Sequence, residues 1–465
     1  MNELVLLFEK YANCSVSSIE RLTQAGSNRQ YFRIFGANHN SVVGVAGNSE
    51  KENCAFFQIA QQFENQGINA PKVLAVSDDF LYYLQQDLGD KNLFDEIEQG
   101  RAVGVFSDYE KQLLHKTISY LPDIQFLTAK NFDFSVCFPQ PEFDKRNVFF
   151  DLNYFKYNFL KFLDIEFDEI LLEDDFEKFC EIILQLSDTE TFMYRDFQSR
   201  NVMLKDGEPY FIDFQGGRKG AIYYDVASFL WQAKANFSDQ LRDELIDEYL
   251  KNLQKYFSIS KQNFVEKLQY FVLFRQLQTL GAYGFRGIFE KKPHFLQSIP
   301  FALKNIEKML PFNDFPYLTS VISTVIEKFT EKNVQNDSKL TVQIESFSYK
   351  KGLPQDTSDN GGGYIFDCRA IHNPGRYEEY KKLTGKDEKV RKFLLEKSEI
   401  NGFLQNVYSL IDKHIEVFLE RKFTHLSVFF GCTGGQHRSV FCAESLAEYL
   451  KKYNVSVNLK HRELS

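Results

Sequence analysis

Residues 192–230 read FMYRDFQSRNVMLKDGEPYFIDFQGGRKGAIYYDVASFL. Two short apolar runs, Val202–Lys205 and Pro209–Ile212, flank Asp206-Gly207. Asp-Gly supplies the positive φ angles that a tight hairpin turn requires, so the spacing predicts a β-hairpin. With the turn centred between 206 and 207, Asn201 faces residue 212 and stands beside Asp213 at the open end. Facing residues of such a pair have Cα atoms roughly 4.5–5.5 Å apart. An amide oxygen and a carboxylate that close form a hard-oxygen site suited to magnesium. Asp196 lies five residues before Asn201, in the loop entering the hairpin, and brings a second carboxylate to the pair. Phosphoryl transfer calls for this set: a metal to neutralise phosphate oxygens, and a carboxylate to orient the attacking hydroxyl and take its proton. An isolated Asp–Asn–Asp set is ordinarily loop and capping chemistry. The hairpin and its flanks are what point to a site.

Upstream, a turn at Gly26-Ser27-Asn28 leads into a strand at Tyr31–Phe35, with a second strand at Val42–Ala46. Ala55, Phe56, Ile59, Ala60 and Phe63 recur on one face of a helix over 51–66, which Gly67 and Pro71 close. Strands near Val73–Val76 and Leu81–Gln85 follow. The pattern is mostly helical over 106–187 and again over 226–330. The expectation is an α+β, bilobal, protein-kinase-like domain: a β-rich small lobe, then a helical lobe with the hairpin at its heart.

Asp196-x-x-x-x-Asn201 followed by Asp213-Phe214 resembles the aminoglycoside phosphotransferase/choline kinase-like superfamily over roughly residues 15–320. The fuller pattern, RDFQSRNVM and FIDFQGGRKGAIYYDVASFL, looks most like the branch that phosphorylates the anomeric hydroxyl of N-acetylmuramic acid and N-acetylglucosamine. The resemblance implies that Asp196 is the base, that Asn201 and Asp213 bind Mg2+, and that Asp225 orders the catalytic loop. It implies ATP or GTP as co-substrate. The nucleotide would be covered by the loop Gly26, Ser27, Asn28 and Arg29, with Gln86 and Leu88 in the hinge at Gln85–Leu88. Three positions depart from the pattern. Tyr194 replaces a loop His, Ala221 replaces a Pro, and the strand Ser41–Asn48 has no Lys for the α/β-phosphates, a role that falls to Arg29 or Arg33 if any residue takes it.

Residues 425–460, HLSVFFGCTGGQHRSVFCAESLAEYLKKYNVSVNLK, read as strand, glycine-rich loop, amphipathic helix and strand. This βαβ unit puts its loop at the carboxyl end of a strand, where open α/β sheets bind ligands. Free N–H groups at the helix start, glycines that admit close approach, and Arg438 as a bidentate grip describe an anion site at Cys432, Thr433, Gly434, Gly435, Gln436, His437, Arg438 and Ser439. Cys432-x-x-Gly435-x-x-Arg438-Ser439 also fits cysteine-dependent phosphatases, whose loop lowers the thiol pKa, although Gly431 stands where those have His. A broader resemblance is preferred. FSYKKGLPQD, FDCRAIHNPGRYEEYKKLTGKDEKV, GCTGGQHRSV and the final HREL are similar to the C-terminal domain of the RNase adapter RapZ. That implies an amino-sugar phosphate ligand, with Asp367, Arg369, Asn373 and His461 as further candidates. The P-loop of RapZ is absent. Its basic RNA-contacting tail is also nearly absent, which argues against RNA as a partner.

The polar stretch 330–339, TEKNVQNDSK, reads as a linker between a kinase-like domain at 1–329 and a RapZ C-terminal-like α/β domain at 340–465. Of the 465 residues 43% are hydrophobic and 26% charged, as in globular chains. The net charge of -9 is unlike that of a nucleic-acid binder, although residues 340–465 hold 19 Lys/Arg against 16 Asp/Glu. Seven scattered cysteines without a C-x-x-C pair suit neither a disulfide framework nor a zinc site and fit a reducing cytoplasm. No signal peptide or membrane span is expected. Three functions stay open. The first is an amino-sugar kinase with a sugar-phosphate-sensing domain. The others are a non-catalytic adaptor and a kinase joined to a phosphatase.

Overall fold

The computed structural model describes residues 2–22, 29–37, 40–187, 190–290, 292–336, 340–354, 362–420 and 423–464. It divides into two compact units, Met1–Ile326 and Glu327–Ser465. The helix Pro316–Asn336 crosses that division. Residues 330–336, expected as an irregular linker, are therefore helical; they contain neither Gly nor Pro to stop a helix. Residues 337–339 of that segment lie outside the described residues.

The first unit opens with the helix Asn2–Ala12. A five-stranded antiparallel sheet follows: β1 Val16–Arg21, β2 Gln30–Gly36, β3 Ser41–Ala46, β4 Val73–Val76 and β5 Tyr82–Gln86, in the order β1-β2-β3-β5-β4. Alternation along each strand sorts the side chains onto two faces. Phe32, Ile34, Val42 and Leu84 pack with Leu4 and Phe8 of the first helix. The other face presents Tyr31, Val45 and Tyr83 side by side in register. β1, VSSIER, was not legible as a strand. It is an edge strand with no fully buried residue, so it needs no apolar alternation.

The helix Glu50–Gln66 begins where Ser49 accepts a hydrogen bond from the Glu52 N–H, and ends at Gly67, whose φ of 71° suits glycine. Its buried face is the one expected, Ala55, Phe56, Ile59, Ala60 and Phe63, with Asn53 added. Asn53 Nδ2 donates to the Phe80 carbonyl at 2.8 Å.

The helical part of this unit contains Lys145–Phe155, Ile222–Leu230 and the long helix Lys261–Tyr283. Between the first two lie β6 Thr191–Met193, paired with β9 Arg218–Gly220, and the hairpin β7 Val202–Lys205 with β8 Glu208–Phe211. The core is built largely of phenylalanine, for example Phe179 against Phe315 with ring centroids 4.5 Å apart. Helices Lys145–Phe155 and Lys261–Tyr283 approach so closely that a Cβ at Gly281 would lie 2.8 Å from the Phe155 nitrogen.

The second unit is a four-stranded parallel sheet in the order β11-β12-β10-β13, formed by β10 Thr341–Ser348, β11 Gly363–Asp367, β12 His425–Cys432 and β13 Ser456–His461. Helices Ile400–Glu420 and Arg438–Tyr449 pack on it, enclosing Val342, Ile344, Val428 and Phe430. With all strands parallel, their carboxyl ends share one edge.

Because the obstacle at Gly281 is backbone, Gly281→Ala is expected to destabilise the protein by about 1–3 kcal/mol despite alanine's better helix propensity. Urea unfolding checks this; an unchanged or raised midpoint would mean that the two helices separate freely.

Candidate functional site

The hairpin turn has Asp206 at φ 54° and Gly207 at φ 78°, the signs of a type I′ turn. Val202 faces Phe211 and Lys205 faces Glu208. One step beyond the ladder the Ile212 N–H donates to the Asn201 carbonyl at 3.0 Å. Asn201 and Asp213 consequently meet, with Asn201 Nδ2 3.4 Å from Asp213 Oδ2 and 2.8 Å from the Asp196 carbonyl oxygen. The three residues read from the sequence as one set stand together.

Asp225, on the helix Ile222–Leu230, is fully buried. Its carboxylate accepts the N–H groups of Tyr194 and Arg195, both at 2.8 Å. Those bonds hold Arg195 at a φ of 78°, a costly angle for a non-glycine residue, and so fix the direction in which the next residue, Asp196, leaves the loop. Burial pushes the Asp225 carboxyl up to about 7 against the two N–H bonds. Arg195 reaches back to the buried Asp151, with Nη2 3.0 Å from Oδ2. Tyr194, which stands in place of the loop His, donates from its hydroxyl to the Ile212 carbonyl at 2.5 Å. It therefore ties the Asp196 loop to the residue preceding Asp213. Ala221 is the N-cap residue of the helix that carries Asp225.

Asp196 is exposed, and Arg275 Nη2 lies 4.0 Å from it. Burial raises the Asp213 carboxyl, and the charge of Asp196 raises it further, while Gln215 and Arg29 oppose the rise. Two mutually repelling carboxylates beside an amide fit a divalent cation, whose charge relieves the repulsion. The residues that would hold Mg2+ are Asn201 and Asp213.

On the nucleotide side, Gly26, Ser27 and Asn28 lie outside the described residues. Arg29 is buried, and its Nη2 lies 3.3 Å from Glu52 Oε1. Arg33 is engaged elsewhere: it pairs with Asp87 at 2.8 Å and Asp90 at 2.8 Å. Asp87 sits in the expected hinge between Gln86 and Leu88, and Ser41 Oγ also donates to it. Sequence reasoning missed this lock and Glu52, because both join residues far apart in the chain.

A crevice of only about 30 Å³, room for a water molecule or two, is lined by Gln198, Arg200, Ser228, Trp231, Lys234 and Arg275, among others, and Arg275 is also the residue 4.0 Å from Asp196. Burial first, then the charges of Arg200 and Arg101, lower the Lys234 pKa. Arg275 is buried, and its Nε has no hydrogen-bond partner among the described residues.

In the second unit Cys432 ends β12, and the helix starts at Arg438 without a side-chain cap. The Gly435 N–H donates to Cys432 Sγ at 3.2 Å, and Ser439 Oγ lies 3.1 Å from it. Burial would raise this thiol, but Ser439, Gly435 and Arg438 together bring it below its ordinary pKa. Arg438 is not free in the way the sequence suggested. Its Nη1 donates to the Arg369 and Ile371 carbonyls, both at 2.8 Å, so it braces the loop. Asp367 lies opposite Gly431, and Ser346 opposite His461, which brings Asp367 and His461 to the same sheet edge as the loop. Asp367 pairs with Arg369 at 2.6 Å. Asn373 caps Gly375, and His437 is bonded to the Tyr380 carbonyl at 2.9 Å. Gln436 accepts from Gly385, and Thr433 accepts from Ser348 Oγ. Gly434 has open space where a Cβ would be. Glu463, from the final HREL, packs against Gly435 and pairs with Lys351 at 2.5 Å; nothing in its sequence position signalled that contact.

Residues 144–258 match the phosphotransferase enzyme family, and residues 340–465 match the RapZ C-terminal domain. A nucleotide-binding protein of Thermosipho africanus is 32% identical over 225 residues, 48% of this chain and 77% of the relative. One from Endomicrobium trichonymphae is 40% identical over 125 residues, 27% of this chain and 42% of the relative. One from Ruegeria is 36% identical over 126 residues, 27% and 40%. The chain thus spans about two fifths of the length of several curated relatives. Among solved structures, choline kinase LicA from Streptococcus pneumoniae aligns with TM-score 0.45 and 12% identity, over 66% of this chain and 100% of that one. The ADP-bound aminoglycoside phosphotransferase APH(2'')-Ib aligns with TM-score 0.45 and 14% identity, over 65% and 97%. Among the described residues no helix is long and apolar enough to cross a membrane.

Asp225→Ala leaves two buried N–H groups without an acceptor, and it is expected to cost about 1–3 kcal/mol of stability. Thermal melts test this. Asp225→Asn retains an acceptor for only one of the two N–H groups and is expected to melt between wild type and Asp225→Ala.

Proposed function

We propose a function for a chain that belongs to the RapZ C-terminal domain family and carries, ahead of that domain, a domain of the phosphotransferase enzyme family. The first unit transfers the terminal phosphoryl group of ATP or GTP to a hydroxyl of an amino sugar of the N-acetylmuramate or N-acetylglucosamine type. The observation that carries the reading is the meeting of Asp196, Asn201 and Asp213 at the hairpin mouth; the amino-sugar acceptor is supported by the cations Arg200, Lys234 and Arg275, which gather around one crevice that Arg275 links to Asp196. Cationic acceptors such as choline or an aminoglycoside would meet like charge from those three side chains. A neutral or anionic sugar meets no such barrier.

Asp196, aimed by Asp225, takes the proton of the attacking hydroxyl. Asn201 and Asp213 hold Mg2+, which supplies the charge neutralisation that phosphoryl transfer requires. Gln86 and Leu88 border the adenine side. In the second unit the residues Cys432–Ser439 bind the phosphate of a sugar phosphate through loop and helix N–H groups. That unit senses a phosphorylated amino sugar, and its setting is the cytoplasm.

Magnesium-dependent turnover on a panel of sugars, choline and aminoglycosides tests the first unit. Turnover is expected on N-acetylhexosamines, with a drop of about 10²-fold or more in Asp196→Asn. Activity confined to choline or aminoglycosides removes the sugar assignment. For the second unit, calorimetry with glucosamine 6-phosphate is expected to show binding that Gly435→Ala abolishes. Gly435 adopts a φ of 71°, and a Cβ there would lie 2.3 Å from Glu463 Cγ. Equal binding by the variant places the ligand elsewhere.

A further inference from the structure

The cleft face of β3 has no cation. Val45 is fully buried there, flanked in register by Tyr31 and Tyr83. The ladder pairs Gln30 with Ala46, so one step further Arg29 comes opposite Gly47. Gly47 cannot carry a side chain without displacing Asn53, whose Nδ2 would lie 2.4 Å from the new Cβ. Asn53 is itself buried and bonded to the Phe80 carbonyl. Neither Val45 nor Gly47, the residue that follows β3, therefore supplies the lysine that pairs with a helix glutamate in protein kinases and touches the nucleotide phosphates.

Arg29, at the entrance to β2, reaches the same place from the neighbouring strand. Its guanidinium meets Glu52 of the helix Glu50–Gln66 at 3.3 Å and lies 5.9 Å from the ring centre of Phe56, one turn further along that helix. Phe56 in turn stacks on Phe214, the residue after Asp213, with ring centroids 5.0 Å apart, so the Arg29 guanidinium stands on the side of the helix that faces the metal pair. Arg33, the other arginine of β2, is held at the hinge by Asp87 and Asp90. A guanidinium offers five N–H donors in a planar fork and can serve several acceptors at once; Tyr31 and Glu52 are two partners of Arg29.

We propose that Arg29, positioned by Glu52, is the cation that binds the α- and β-phosphates of the nucleotide in this chain, a role relocated from β3 to β2. The proposal rests on the phosphotransferase reading. It also makes the helix Glu50–Gln66 part of nucleotide binding, since any shift of that helix moves Glu52 and with it Arg29.

The test is calorimetric binding of Mg-ADP to the full chain, with thermal melts of each ligand-free variant. Arg29→Met is expected to weaken binding by about tenfold or more, equivalent to ~1.4 kcal/mol. Arg29→Lys is expected to lose less, and Glu52→Gln to weaken binding while Arg29 is still present. A purely structural arginine would lower the melting temperature and leave the affinity of the folded protein unchanged. Wild-type affinity in folded Arg29→Met overturns the proposal alone, with the phosphotransferase reading intact. Should Arg29→Met not fold, wild-type affinity in both Arg29→Lys and Glu52→Gln overturns it. A wild type that binds no Mg-ADP removes both the phosphotransferase reading and the proposal.

Discussion

The first unit depends on one buried carboxylate. Asp225 lies in the interior with no exposed surface and spends both oxygens on the N–H groups of Tyr194 and Arg195. Without it those N–H groups would be buried and unpaired, and Arg195 would have no reason to stay in the left-handed region. The direction of Asp196 follows from that geometry. Tyr194 extends the constraint across the hairpin mouth through its bond to the Ile212 carbonyl, which ties the loop bearing Asp196 to the residue before Asp213.

Around this point the charge arrangement is unusual. Arg195, Arg218 and Arg275 converge on Asp151 and Tyr224 in the interior. Burial lowers the Arg218 pKa to about 10, with repulsion from Arg195 adding to the fall. Like charges gathered in a dry interior cost stability unless something compensates. Asp151 answers Arg195, and Asp196 stands near Arg275.

The second unit is organised by other means. Its glycine-rich loop lies at the edge where four parallel strands end, with Ser348, Asp367, Cys432 and His461 as the terminal residues. Arg438 braces the loop through two carbonyls. Within that loop the thiol of Cys432 is held by the Gly435 N–H and by Ser439 Oγ.

The chain's own order determined the hairpin and its chemistry. Asp206-Gly207 sets the turn, the turn sets the register, and the register alone places Asn201 beside Asp213. The face of the helix Glu50–Gln66 and the strand–loop–helix around Cys432 were legible for the same reason: each is a local pattern whose period or turn chemistry lies within a few residues. Tertiary structure decided what no local pattern contains. β1 had no apolar alternation because an edge strand has little to bury. The choice between Arg29 and Arg33 could not be made from spacing, since Arg29 just before β2 and Arg33 within it share the same side-chain parity; Asp87 and Asp90 claim one, and Glu52 claims the other. Arg438 looked free in sequence and is bound, because carbonyls 67 and 69 residues away fold against it. Glu463 enters the loop because β13 runs beside β10. Pairings between distant residues are fixed by packing, and packing exists only once the chain has folded.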